Sequence, residues 1–184
     1  MALTATMYVF HVDLSDVDRG VYDTFELRLA RHPSETLRYL LTRLFAYCLA
    51  YEEGIAFSRE GLSNADEPPL SVRDRTGLLQ AWIDVGVPSA ERLHKAAKAA
   101  PRVSVYTAAE LGLLQREAAT RAIHKVDSID VWRLDPALLD AVAERLGRTT
   151  RLGITRTDSA LYVTLEGHTL EGQCQRASLV PAAS

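Results

Sequence analysis

The stretch Ala81-Trp82-Ile83-Asp84-Val85-Gly86-Val87-Pro88 decides how the chain is read. With Leu78–Gln80 ahead of it, it begins as an apolar run of strand length that Gly86 and Pro88 close. A period of two puts Asp84 on the same side as Gln80 and Trp82. Burying a carboxylate there without a partner is costly. Asp84 is therefore expected to be paired, to sit at a rim, or to hold a cation. Next, Ser89 caps a predicted helix that runs to about Ala100 and stops at Pro101. After Glu91 this segment carries only basic charges: Arg92, Lys95, Lys98 and, just beyond the helix, Arg102. Steps of three place Arg92, Lys95 and Lys98 on one helix face.

Working outward, the pattern alternates between periods. Upstream, Val72 opens a strand that turns at Asp74-Arg75-Thr76-Gly77, and residues 55–70 read as loop with a short strand at Ile55–Ser58. Leu37, Leu40, Leu41, Leu44, Phe45, Cys48 and Tyr51 follow helical spacing, with Pro33 and Glu35 expected in the first turn and Gly54 as the stop. Residues 7–14 and 23–29 each alternate, with a turn at Asp18-Arg19-Gly20, and predict an antiparallel hairpin. Downstream come a short strand at Val103–Tyr106 and a helix to about residue 123 behind a Thr107/Glu110 capping box. A strand at Ile129–Leu134 and a helix from Asp135-Pro136 to Gly147 follow. Thr149–Thr155 and Leu161–Leu165 form a second hairpin, and residues 171–184 read as a frayed tail. Strand pairs interleaved with helices predict an α/β or α+β fold with a mixed sheet, in one domain over residues 1–170.

Composition excludes several classes. The 184 residues are 47% hydrophobic and 24% charged, the proportions of an ordinary globular protein. A chain of this length buries roughly 70% of its unfolded surface and needs no metal or disulfide to fold. Twenty-four acidic residues against 21 basic ones give a net charge of −3, which rules out a strongly basic nucleic-acid coat but not a local basic patch. Asp13, Asp16, Asp18 and Asp23 load the N-terminal hairpin with negative charge. Cys48 and Cys174 have no ligand spacing around them, and no stretch is long and apolar enough to span a membrane. The expectation is a reduced, cytoplasmic, soluble protein without a membrane partner. The histidines show no HExxH or related pattern, and Ser34 beside His32 lacks the partners of a triad.

Acids recur where predicted elements meet: Glu35, the pair Asp66-Glu67 before Pro68-Pro69, and Asp84. Mg²⁺ takes one or two carboxylates together with waters and phosphate oxygens. Two or three acids from separate elements would supply such a site, and Lys95 on its flexible stem would stabilise charge on a scissile phosphate. The plain alternatives are a helix-dipole role for Glu35, a solvated loop for Asp66-Glu67, a salt bridge to arginine for Asp84, and a solvated face for the basic stripe.

The chain resembles the bacterial YaeQ family over essentially its full length. The matching strings are MALTAT, LARHPSETLRYLLTRLFAY, ADEPPL, AWIDVGVP, ERLHKA and VWRLD. The resemblance implies a variation on the PD-(D/E)XK nuclease fold, whose core runs helix-strand-strand-strand-helix-strand, here with β-hairpins added at both ends. By motif, Asp66-Glu67-Pro68 stands for the first acidic motif, Asp84 for the first letter of (D/E)xK, and Glu35 for the acid of the first core helix. Gly86 stands where the superfamily has lysine, and Lys95 would be a lysine migrated to the next helix. The implied activity is an Mg²⁺-dependent, or Mn²⁺-dependent, nuclease or phosphodiesterase. In it Asp66, Glu67 and Asp84 hold the metal, Glu35 and Lys95 complete the catalytic set, and Arg31, His32, Arg92 and Lys98 contact nucleic acid. The alternative is a nuclease-fold protein without cleavage, acting as a nucleic-acid or protein interaction module.

Overall fold

The computed structural model describes residues 4–59 and 66–183, so residues 60–65 of the loop expected over 55–70 lie outside the described residues. In chain order the elements are β1 (Thr6–Asp16), β2 (Val21–Arg31), α1 (Leu37–Leu49), β3 (Ile55–Phe57), β4 (Leu70–Arg73) and β5 (Leu79–Val85). Then come α2 (Ala90–Ala99), β6 (Arg102–Thr107), α3 (Leu111–Ala118), β7 (Ile129–Leu134), α4 (Pro136–Ala143), β8 (Thr149–Thr157), β9 (Ala160–Leu165) and β10 (His168–Ala177). Where one domain was expected, the chain groups into two compact units, residues 1–49 with 134–174 and residues 50–133 with 175–184.

In the first unit the alternation at the chain start builds a long hairpin. β1 and β2 pair antiparallel without a break from Thr6–Arg31 to Asp16–Val21, burying Phe10, Val12 and Leu14 on one side. β8 lies parallel to β1, and β9 and β10 follow as antiparallel neighbours. The β8–β9 turn places Asp158 (φ 47°) and Ser159 (φ 70°) in the left-handed region, as a two-residue turn with the twist of its strands requires. Two of the hairpin's four acids are drawn into arginine pairs, while Asp13 and Asp23 are exposed. Asp16 is fully buried with its carboxylate 2.7 Å from Arg19 Nε, and Arg156 Nε lies 3.3 Å from Asp18.

α1 buries Leu40, Leu41, Leu44, Phe45 and Cys48, the predicted stripe. It starts at Leu37, because Thr36 takes the capping role: Tyr39 N donates to Thr36 Oγ1 at 3.1 Å. Pro33 and Glu35 therefore precede the helix, in a turn closed by Glu35 N donating to His32 O at 2.9 Å. α1 also ends earlier than expected, at Leu49. Gly54 lies beyond it at φ +90°, where a Cβ would come within 2.0 Å of Arg73 O. On α4 the expected cap forms, with Ala137 N donating to Asp135 Oδ1 at 2.9 Å. That helix ends at Ala143, since the following amides tighten to carbonyls three residues back.

The second unit orders its strands β7-β6-β5-β4-β3, antiparallel from β3 to β5 and parallel from β5 to β7. Leu93 and Ala96 of α2 pack with Trp82, Val105, Leu114 and Val131 in one core. The Thr107/Glu110 capping box does not form. Buried Thr107 spends its hydroxyl on Ala109 N at 3.1 Å, and α3 covers only Leu111–Ala118.

The frayed tail expected over 171–184 is also corrected. β10 continues to Ala177, Gln115 Nε2 donates to Ser178 O at 2.9 Å, and Leu179 is buried in the second core. The polar alternation of residues 168–177 conceals a strand whose inward positions are small. At Gly172 a Cβ would come 2.7 Å from the Leu138 side chain.

Both cysteines are free and buried. Burial pushes the Cys48 thiol far up and the Cys174 thiol to about 11, and a thiolate is the reactive form. Neither should react with Ellman's reagent in the native protein at pH 8, and both should react in guanidinium chloride. Labelling of either in the folded state would contradict this burial.

Candidate functional site

The site is built around the end of β5. Asp84 is 1% exposed, and both of its oxygens are engaged. The Trp82 indole, two residues back on the same side of the strand, donates to Oδ2 at 2.8 Å. Arg92, in the first turns of α2, donates from Nε to Oδ1 at 2.7 Å. α2 begins where the sequence reading put it, with Arg92 N donating to Ser89 Oγ at 3.1 Å, and this fixes the direction from which Arg92 approaches β5. The guanidinium also lies 5.5 Å from the centre of the Trp82 ring and donates from Nη2 to Glu67 O at 2.7 Å. One arginine thus joins the strand acid to the backbone at Glu67.

Asp66 and Glu67 are exposed. Asp66 pairs with the Lys95 ammonium, whose hydrogen bond and charge hold its carboxyl below the usual aspartate range. Glu67 accepts from Ser58 Oγ at 3.1 Å. Lys95 was expected to turn back towards Asp84. It reaches Asp66 instead, because Arg92, one turn earlier, already occupies Asp84. Lys98 is exposed. The structure therefore brings Asp84, Glu67, Asp66, Arg92 and Lys95 into one connected group.

Glu35 belongs to the first unit and is committed there. It is 4% exposed, with Oε1 2.8 Å from Arg43 Nε, Oε2 3.0 Å from Arg43 Nη2, and His32 N donating to Oε2 at 3.1 Å. Two fully hydrogen-bonded charges at this depth make a structural clamp on the turn before α1. Arg31 donates to Glu35 O at 2.7 Å, and His32 Nδ1 shares a 2.6 Å hydrogen bond with Ser34 Oγ. Arg31 and His32 thus bind the same turn.

Two of the three carboxylates expected to hold Mg²⁺ are engaged by fixed cations. Asp84 faces a guanidinium and an indole N–H, Asp66 faces an ammonium, and exposed Glu67 meets Ser58. Among the described residues no three His, Cys, Asp or Glu side chains gather to hold a metal ion. Sequence reasoning missed Trp82 as a donor, although period-two spacing already placed it beside Asp84. It also missed Arg43, which follows Glu35 by eight residues and has no local pattern to announce it. A shallow cavity of about 610 Å³ elsewhere in the second unit, lined by Glu52, Glu53, Arg73, Arg75 and Arg102, includes none of the predicted residues.

Comparison with known proteins gives one consistent result. Residues 1–174 match the family described as YaeQ protein. The uncharacterised protein YaeQ of Salmonella typhi is 33% identical over 177 residues, covering 94% of this chain and 96% of that one. Its counterpart in Escherichia coli K12 is 33% identical over 175 residues, covering 93% and 94%. The crystal structure of YaeQ from Pseudomonas syringae superposes with a TM-score of 0.83 at 30% identity, covering 95% of this chain and 96% of that one. The YaeQ protein from Xanthomonas axonopodis pv. citri gives 0.84 at 31% identity, covering 97% and 100%.

The geometry predicts unequal costs for the two halves of the central pair. Arg92→Ala leaves a buried carboxylate uncompensated and should cost about 3 kcal/mol. Asp84→Asn keeps an oxygen for the indole and leaves an arginine that is 20% exposed, so its cost should be about 1 kcal/mol. Urea unfolding of the two variants checks the order, and equal losses would contradict it. Burial also raises the Asp84 carboxyl above its ordinary 3.8, against the opposing pull of Arg92 and the indole. The folded protein then holds that proton more tightly than the unfolded chain. Stability from this group is complete below the unfolded value and is lost as pH rises through the folded one. Carbon-detected NMR titration of the Asp84 carboxyl should give a midpoint above 3.8.

Proposed function

The chain belongs to the YaeQ family, and we propose that it is a nuclease-like scaffold that works as an interaction module rather than by metal-dependent cleavage. The observation that carries this reading is the position of the Arg92 guanidinium, bonded at once to Asp84 Oδ1 and Glu67 O, each at 2.7 Å. A nuclease of the PD-(D/E)XK kind needs a divalent cation between its two acidic motifs. Here a fixed side-chain cation stands between them. Cleavage needs a hydrated metal to generate the nucleophile and neutralise the phosphodiester. A guanidinium supplies charge but no ionisable water. The nuclease-like fold is supported by the run α1-β3-β4-β5-α2-β6, in the order that core requires. Gly86 in place of the motif lysine fits a site that no longer cleaves.

Of the two partner classes, a protein is favoured over nucleic acid by charge balance on α2 and just beyond it. Arg92 faces Asp84, Lys95 faces Asp66, and Arg102 faces Glu52 at 2.9 Å, so phosphate would have to displace an acid at three of the four basic positions, exposed Lys98 being the fourth.

Titration of the wild-type protein with Mn²⁺, followed by electron paramagnetic resonance, should show no saturable binding at millimolar metal. DNA and RNA, single- and double-stranded, should survive incubation with Mg²⁺ or Mn²⁺. Saturable Mn²⁺ binding abolished by Asp84→Asn, or metal-dependent cleavage abolished by the same change, would restore the nuclease reading. Any binding of labelled nucleic acid should have a shallow salt slope of about −1 to −2, as for one or two phosphate contacts. A slope steeper than about −5 would point to a polyanion partner.

A further inference from the structure

β2 ends the strand order of its unit, with β1 as its sheet neighbour. Which main-chain groups of β2 face outward follows from the hydrogen bonds of β1. Val9 N donates to Arg148 O and Val17 N to Arg156 O, so odd positions of β1 turn towards β8. Even positions then turn towards β2, and the register Phe10–Leu27 matches them with odd positions of β2. The N–H and C=O groups of Tyr22, Thr24, Glu26, Arg28 and Ala30 consequently point away from the sheet. Arg43 Nη2 donating to Ala30 O at 2.9 Å agrees with this assignment.

Natural edge strands are blunted by shortness, proline, a bulge, charged side chains or a covering element. β2 lacks the first three, is reached by Arg43 only at Ala30 O, and carries four charges whose order matters. It runs for 11 residues, contains no proline, and pairs with β1 without a register shift. Its charges are ordered about Leu27, with Asp23 and Glu26 before it and Arg28 and Arg31 after it. A second copy of β2 laid antiparallel about Leu27 puts Glu26 opposite Arg28 and Asp23 opposite Arg31, each pair twice. Thr24 then faces Ala30, and Phe25 faces Leu29. The outward main-chain groups of positions 24, 26, 28 and 30 meet their counterparts, Thr24 N exchanging its 2.8 Å bond to Asp23 Oδ1 for the partner strand and the Ala30 carbonyl keeping one lone pair for Arg43. Moving the symmetry centre to residue 26 sets Glu26 against Glu26, and moving it to residue 28 sets Arg28 against Arg28. Opposite charges across strands stabilise a pair, and like charges destabilise it. The centre at Leu27 is therefore selected over both of its neighbours.

We propose that β2 is a self-association edge, through which two copies of this chain join antiparallel about Leu27 into a continuous sheet. The occupant of the edge is a second copy because the strand is complementary to itself in both charge and main-chain parity. Glu26 and Arg28 are exposed, and their 2.8 Å contact within the chain is a surface pair of small worth, so substitutions there leave the fold intact.

Sedimentation velocity on the full chain from micromolar to several hundred micromolar tests the proposal. The wild type should form a concentration-dependent dimer. Glu26→Arg should weaken it about tenfold or more, as should Arg28→Glu, since each turns two attractive pairs repulsive. The double variant Glu26→Arg/Arg28→Glu should restore the dimer, because the swapped charges again face opposite partners. A wild type that stays monomeric throughout overturns the proposal. So does a dimer indifferent to either reversal, or a double variant that fails to restore it. Circular dichroism melts of the single variants should match the wild type and separate lost pairing from lost folding.

Discussion

The second unit depends on the pairing of Asp84 with Arg92. A charge 1% exposed at the end of an apolar strand is tolerated only with a counter-charge and filled lone pairs. Arg92 provides the first, and Arg92 with Trp82 provides the second. This requirement sets more than two side chains. It holds the start of α2 against the end of β5, and through Glu67 O it ties the segment before β4 to the same point. Lysine would not serve as well. The planar fork of arginine bonds Asp84 and Glu67 O through different nitrogens while its face lies near the Trp82 ring, and an ammonium has no such geometry.

The first unit meets the same problem in the same way. Glu35 is clamped by Arg43, and Asp16 by Arg19, with Arg156 3.9 Å away. In each unit the deeply buried acids are matched by arginine, which also pairs exposed acids such as Glu52 and Asp140, while Asp66 is matched by lysine. Desolvation explains the choice at the buried sites. Guanidinium is more weakly hydrated than ammonium and loses less on burial. Three of the acids that look like a catalytic set along the chain, Glu35, Asp66 and Asp84, are in space members of separate ion pairs.

Much of the fold was legible because it rests on local periodicity. β7 begins and ends where its apolar run does, and the Ser89 and Asp135 caps form as their sequences imply. Errors fell where a distant partner outweighed a local signal. Thr107 has the spacing of a capping box, but as the buried last residue of β6 it turns its hydroxyl to Ala109. Residues 168–177 lack an apolar rhythm because Gly172 must leave room for Leu138, a contact made across 34 residues of chain. The site was legible in membership more than in role. Period two placed Trp82 beside Asp84, and helical spacing aligned Arg92 with Lys95. Which cation meets which acid depends on reach in three dimensions. Arg92, nearer the start of α2, takes the strand acid and leaves Lys95 for the loop.

The near-neutral charge of the chain has a different meaning once these pairs are known. A total of −3 is compatible with a basic face opposite an acidic one, and the run from Arg92 to Arg102 suggests such a face. In the structure Arg92, Lys95 and Arg102 are each balanced by an acid from a preceding segment: Asp84, Asp66 and Glu52. The balance is local and covers three of the four basic residues of the run, with Lys98 exposed beside them. β2 shows the converse arrangement. Its two acids and two arginines cancel in sum but lie in order along one edge strand, acids before Leu27 and arginines after it, with Glu26 and Arg28 joined only by a surface contact. Charge cancelled within pairs favours a stable interior, whereas charge segregated along an edge favours a partner with the reverse order. An antiparallel copy of the same strand has that order.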